Sequence, residues 1–259
     1  MNYEHVLDEH VRTMLQKAHT GTTVGIKRMT IEKPEPRSRR DRPAKAPLSR
    51  QVITEAALAI MRTEGLGKVT MRRIAAQLDT GAASLYVYVR DTEDLHAQVL
   101  DALLAPVTEI TTRGSWQKRL KALLGNYMDV LFANPELARM AISTPANGTN
   151  YFRIVEMILA LLKAGGVEDR SAAWGVDLLL LFATANAAEH SAWKASPRAA
   201  EDVQGMKSKI RSADPKTHPN ISRLSEELLS GGEGRLDWNL DLLIAGLIAA
   251  PPVSKKSAR

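Results

Sequence analysis

The side chains in this chain that could do chemistry are hydrogen-bond donors at helical spacing rather than an acid–base pair: Arg72 and Arg73, then Ser84, Tyr86, Tyr88 and Arg90. A guanidinium such as that of Arg72 can donate two parallel hydrogen bonds to a guanine edge in a DNA major groove. Arg73 is equally suited to solvent or to a phosphate. Catalytic alternatives find little support. There is no cysteine, no G-x-S-x-G, no phosphate-cradling loop and no H-E-x-x-H, and the six histidines show no close metal-ligand spacing. No enzyme activity, no cofactor and no metal are expected.

Positioning those donors takes a helix, a tight turn and a second short helix across residues 70–90, T-M-R-R-I-A-A-Q-L-D-T-G-A-A-S-L-Y-V-Y-V-R. Thr70 can cap the first helix, whose apolar residues Met71, Ile74, Ala75 and Leu78 recur on one face. Asp79-Thr80-Gly81 breaks it, Gly81 being free to take a positive φ. The second helix is predicted over residues 82–88, with Ala82, Ala83, Ser84, Tyr86 and Tyr88 outward and Leu85 and Val89 in the core. A helix, a turn and a short second helix is the arrangement that lays a recognition helix in a major groove.

Charge agrees with that placement. The net charge is +6, and residues 33–92 account for it, with twelve Lys/Arg against six Asp/Glu, leaving the remainder balanced. A basic block fused to a neutral body suits a nucleic-acid module joined to a second kind of domain. The first residues are polar and charged, and the longest uncharged apolar run, residues 178–188, is too short to span a bilayer. A soluble cytoplasmic protein is expected, with no membrane partner and on the nucleoid when bound to DNA.

Residues 2–17 carry apolar side chains at helical spacing, and residues 19–47 read as a linker with four prolines and a basic cluster that includes Arg39 and Arg40. The 1–47 extension is either an arm that tracks phosphates or enters the minor groove, or a tail without a role, the more so if translation begins at Met29. Residues 48–64 then predict a helix, capped by Ser49 and stopped by Gly65. After the recognition segment, Thr92 or Asp91 caps a further helix with Leu95, Val99, Leu100, Leu103 and Leu104 on its apolar side.

Residues 48–104 resemble the N-terminal domain of the tetracycline-repressor family of bacterial transcription regulators. The likeness rests on L-S-R-x-x-I-x-x-A-A-L-x-I-x-x-x-E-G at 48–65, then V-T-M-R-R-I-A-A-Q-L, and above all S-L-Y-V-Y-V-R-D at 84–91. It implies an all-α protein: a three-helix helix-turn-helix domain at 48–104, a helical ligand-binding and dimerisation domain at 105–250, and a basic tail at 251–259. It also implies base or phosphate contacts from Arg72, contacts to thymine methyls and phosphates from Ser84 and Tyr86, and phosphate contacts from Tyr88 and Arg90. Four positions depart from the pattern. Ala82 and Ala83 replace a base-reading glutamine and its neighbouring proline, Thr92 replaces a lysine, and Asp79 replaces the usual turn glycine. Methyl groups cannot donate hydrogen bonds, so operator choice is expected to lean on Arg72, Tyr86 and DNA shape.

The remainder predicts helices over residues 115–132, 134–143, 149–164, 168–195, 219–229 and 237–249, with residues 199–233 otherwise polar. The helices at 168–195 and 237–249 are apolar around too much of their circumference for a monomer's surface. The resemblance implies that they pair with their symmetry mates in a homodimer, which would present two recognition helices to a pseudo-palindromic, double-stranded operator. Within the family, residues 140–145 line up with a segment that unwinds on inducer binding and Glu189 with an acid that reaches magnesium through water, but the metal-binding histidine falls at Met140. The inducer is therefore expected to be apolar or amphipathic and metal-free. Its pocket is predicted to draw on Tyr127, Leu131, Met140, Thr144, Phe152, Phe182, Asn186, Glu189, His190 and Trp193, ordinary core packing being the competing account for each. The polar Asn186 and His190 stand out because they need partners inside an apolar helix.

The expected function is that of a ligand-responsive regulator, most simply a repressor released from its operator by a small molecule. The rivals are an architectural DNA binder without a ligand, and an all-helical enzyme with a catalytic cavity.

Overall fold

Several helices from residue 50 onward start where a named side chain can satisfy their first turn. The computed structural model describes residues 47–249, apart from 109–112, 143, 145 and 196–197. The predicted helix at 2–17, the arm with Arg39 and Arg40, and the 251–259 tail lie outside the described residues. Ser49 Oγ accepts from Val52 N at 3.2 Å to open α1 (Arg50–Glu64), and Gly65, at φ 88°, ends it in a conformation that an L side chain rarely adopts. A 3-10 turn (Leu66–Lys68) leads to α2 (Met71–Gln77), capped by Thr70 Oγ1 at 3.2 Å from Arg73 N.

The turn and second helix differ from expectation. Gly81 sits at φ −79°, and the positive φ falls on Asp79 at 48°, a residue type that tolerates the left-handed region. The cost of the missing turn glycine is thus borne at Asp79. The recognition helix α3 (Ala82–Leu85) is a single turn rather than seven residues. Bonds from Tyr86 N to Ala83 O (3.3 Å) and Tyr88 N to Leu85 O (2.9 Å) then tighten the chain. It must stop there because the next helix, α4 (Thr92–Leu103), needs an extended cap at Asp91. Asp91 Oδ1 accepts from Asp94 N (2.8 Å), while Asp94 Oδ2 accepts from Arg90 N (2.9 Å), a reciprocal cap that fixes where α4 begins.

The remaining helices are α5 (Trp116–Ala133), α6 (Pro135–Ala141), α7 (Thr149–Ala164), α8 (Asp169–Ala195), α9 (Ala199–Arg211), α10 (Pro219–Arg223), α11 (Ser225–Leu229) and α12 (Gly232–Ala249). The fold is all-α, with no strand among the described residues. Sequence periodicity misses α9, which buries none of its residues and so carries no core-facing signal. It also runs α10 and α11 together, starts α12 late and ends α6 two residues late.

The described residues from Ser49 onward form one compact unit. In its first part α1, α2, α3 and α4 close on Ile53, Ala57, Ile60, Ile74, Leu85, Leu95 and Val99, all fully or nearly fully buried. In its second part α8 is the central helix, packed by α5, α6, α7 and α12. By length and composition α8 could cross a membrane, but half of its apolar stretch is buried inside the protein. Gly175 on α8 lets α12 approach closely, since a Cβ there would fall 2.7 Å from Leu247. Lys121 of α5 holds α12 from the other side, with Nζ 2.9 Å from Asp237 and 2.8 Å from Asp241.

Candidate nucleic-acid interface and ligand domain

Leu85 and Val89, four residues apart, are both buried, so Tyr86 and Val87 between them are turned outward. Tyr86 is 56% and Val87 79% exposed. Ala83, Ser84 and Arg90 are exposed, while Ala82 and Tyr88 are half-buried. Arg72 is exposed on α2, and Thr70 is exposed at its cap. These are the sequence-predicted donors, and they share the short stretch from α2 to the start of α4. Val87 escaped the sequence reading. The signal was available, because burying Leu85 and Val89 leaves 86 and 87 no inward direction.

Arg73 departs from its expected role. Its Nε donates to both Glu64 carboxylate oxygens at 3.2 Å, with Nη2 on Oε1 as well. That hydrogen bond holds the Glu64 carboxyl below its ordinary pKa and raises that of Arg73. Arg73 therefore ties α2 to α1, and its guanidinium already faces a carboxylate. Arg90 keeps an exposed guanidinium, 3.8 Å from buried Asp94. Exposed Arg50, Arg62 and Lys68 add positive charge to the same part of the chain.

In the second part the structure gathers only some of the predicted ligand residues. Tyr127 is buried and its hydroxyl lies 2.8 Å from Thr184 Oγ1; burial raises its phenol pKa, partly offset by that hydrogen bond. Leu131 is fully buried beside it on α5. His190 is half-buried and meets the Phe132 ring edge-on, with centroids 5.1 Å apart. Asn186 gives its amide to Phe182 O on its own helix at 2.8 Å. Its partner is thus the backbone, which removes the argument that it needed a ligand. Phe182, Met140 and Thr144 are half-buried. Trp193 lies near the end of α8, its side chain outside the described ones.

Two expectations are corrected. Phe152 is 59% exposed, because the buried stripe of α7 runs through Ile154, Ile158, Leu161 and Leu162 and places position 152 on the opposite side. Glu189 is exposed, on the solvent side of a helix whose buried residues there are Ala187, Ala188 and Ser191. Thr184, a buried polar residue facing Tyr127, was not anticipated. Tyr151 is likewise unanticipated; it is half-buried, and burial followed by nearby Asp177 raises its pKa. None of the predicted ligand residues lines the open groove of about 710 Å³ between α9 and residues 212–221.

Contacts join the two parts. Glu136 Oε2 on α6 accepts from Leu66 N at 3.1 Å, in the turn that precedes α2. Helix α4 packs on both α6 and α7. On the far side, α8 exposes Trp174, Leu178 and Leu181, and α12 exposes Trp238, Leu242 and Ile248. These make exposed apolar stripes on neighbouring helices.

Comparison with known proteins bears on both parts. Residues 53–99 match the domain family described as "Bacterial regulatory proteins, tetR family". Residues 110–250 match the one described as "Tetracyclin repressor-like, C-terminal domain". The chain is 45% identical to the transcription regulator SCO7704 of Streptomyces coelicolor, covering 81% of this chain and 99% of that one with a TM-score of 0.69. It is 33% identical to ActR of Streptomyces coelicolor in complex with actinorhodin, covering 79% and 97% with a TM-score of 0.69. It is also 32% identical, over 49% of each protein, to the HTH-type transcriptional repressor DrrR1 of Streptomyces coeruleorubidus. The chain spans 64% and 49% of the lengths of the two curated relatives it matches.

Proposed function

Because the chain belongs to the tetR family of bacterial regulatory proteins, we propose that it is a homodimeric, cytoplasmic repressor released from a pseudo-palindromic operator by a small molecule. The observation that carries the reading is the recognition segment. Leu85 and Val89 are spent on the core, so Ser84, Tyr86, Val87 and Arg90 face solvent beside Arg72. Arg72 donates to a base edge or phosphate, Val87 and Ala83 meet thymine methyls, and Ser84, Tyr86, Tyr88 and Arg90 grip phosphates and sugars. Phosphate contacts supply much of the affinity, and the paucity of donors at Ala82 and Ala83 shifts selectivity toward DNA shape.

The exposed stripes on α8 and α12 pair with a second copy and so present two recognition segments to two half-sites. The inducer is apolar or amphipathic and enters near Tyr127, Leu131, Phe182, Thr184 and His190; that ActR is known in complex with actinorhodin supports this. It acts by binding the DNA-incompetent state better than the competent one.

Footprinting on the DNA that flanks the chain's own gene, repeated with actinorhodin and other amphipathic molecules, tests this. A protected, two-fold site that a small molecule clears is expected. Binding that does not distinguish this DNA from random sequence would instead favour the architectural reading.

A further inference from the structure

Helices α4 and α7 meet at their ends, and each lacks the charge its own terminus calls for. No acidic side chain stands in the first turn of α7, and its N-cap, Gly148, contributes no side-chain bond. No basic side chain stands in the last turn of α4. Such ends leave N–H groups and carbonyls without partners, at the positive and negative poles of the helix dipole. Each helix supplies what the other lacks. Asp101, in the last turn of α4, places Oδ1 2.9 Å from Tyr151 N and Oδ2 3.3 Å from Asn150 N, with Asn150 Nδ2 at 3.1 Å. In return Arg153, in the first turns of α7, donates from Nη2 to Ala105 O at 2.7 Å, Val107 O at 3.1 Å and Leu104 O at 3.4 Å, just past the end of α4.

Gly148 is what makes room. A Cβ there would lie 2.0 Å from Asp101 Cγ and 2.2 Å from Oδ1, inside the carboxylate itself. At its other end α4 is fixed to the recognition segment, since Asp94 accepts from Arg90 N at 2.9 Å. A rigid helix of twelve residues thus carries a carboxylate lock at each end, one on the DNA-facing segment and one on the ligand domain.

We propose that Asp101, Gly148 and Arg153 are positioning residues for DNA binding, forming a reciprocal cap through which the ligand domain sets the placement of the recognition segment. The proposal rests on the reading of the chain as a ligand-responsive regulator. Movement of the first turn of α7 pulls on Asp101 and Arg153 together, and α4 transmits it because both of its ends are pinned.

Hydrogen exchange on the full-length protein tests this without DNA or inducer. Asp101→Ala, Arg153→Ala and Gly148→Ala should each speed exchange about tenfold at Asn150 and Tyr151. They should also speed it at the bonded amides of Ser84, Tyr86, Tyr88, Val89 and Arg90, while the central amides of α8 at 179–188 stay protected. Gly148→Ala alters neither charged group, so it keeps the test open where a charge variant folds poorly. Faster exchange confined to α7, or spread evenly through α8, would overturn the proposal. A flat footprint of the unaltered protein would count against the regulatory reading alone, because exchange at residues 84–90 is read in its absence.

Discussion

Tyr86 and Val87 on the recognition segment, and Trp174, Leu178, Leu181, Trp238 and Leu242 on α8 and α12, are all large apolar side chains left in solvent, yet in opposite settings. The first group is small, sits on one tightened turn, and stands among Arg72, Arg90 and other exposed cations. The second runs along two long neighbouring helices, where exposed Asp177 stands beside Leu178 and Asp237 and Asp241 are bridged by Lys121. An apolar patch rimmed by cations suits a polyanion with methyl groups in its groove; an extended apolar stripe bordered by acids repels a polyanion and suits another copy of itself. Exposure of apolar surface therefore says that something docks, and the surrounding charge says what.

The comparison breaks most visibly at the stripe. Trp174→Asp combined with Leu181→Asp should give monomers in sedimentation and lower operator affinity on the order of a hundredfold or more, because two half-sites are then bound independently. A dimer that survives both changes would place the second copy elsewhere. On the DNA side, Arg72→Ala and Tyr86→Ala should each weaken specific binding by roughly 1–3 kcal/mol with the fold intact; unchanged affinity in a titration would remove them from the interface. Val87→Ala should cost about 1 kcal/mol or less, and only on operators with a thymine at the contacted position, as uracil substitution at that base would reveal.

The smallest effect belongs to the ion pairs that frame these regions. Glu64 is held below its ordinary value of 4.5 by Arg73. Its contribution is present above the unfolded-state pKa and fades as pH falls through the lower folded one. Lys121 is held above its ordinary 10.5 by Asp241 and Asp237, so its contribution is present below the unfolded pKa and fades as pH rises through the folded one. Thermal melts of Glu64→Gln should differ from the unaltered protein at neutral pH and converge with it in acid, and those of Lys121→Met should converge in alkali. Constant differences at every pH would mean that packing, not charge, is what these residues contribute.

Much of the fold was legible because caps are local chemistry. Ser49, Thr70 and Ser115 are typical N-cap residues, and each bonds the backbone N–H three residues on. The boundaries of α7 follow from Gly148 and the Gly165-Gly166 pair. Legibility failed where structure depends on what a residue does not bury. The polar helix α9 hides nothing, so periodicity had nothing to report. The recognition helix was read too long because its end is set by the cap of the helix after it. In the ligand domain an apolar residue such as Phe152 looks the same in sequence whether it faces a pocket or solvent. Asn186 similarly looked unsatisfied until Phe182 O was found to accept from it.

The carboxylate of Asp101 occupies the space that any side chain at position 148 would need. In evolutionary terms the two positions are not free to drift separately. A descendant can gain a side chain at 148 only after 101 has shrunk or turned away, and a lineage that keeps aspartate at 101 is confined to glycine at 148. The pair should then change together across relatives or not at all, so that an alignment would record the joint between these helices as a covariation rather than as two independent preferences.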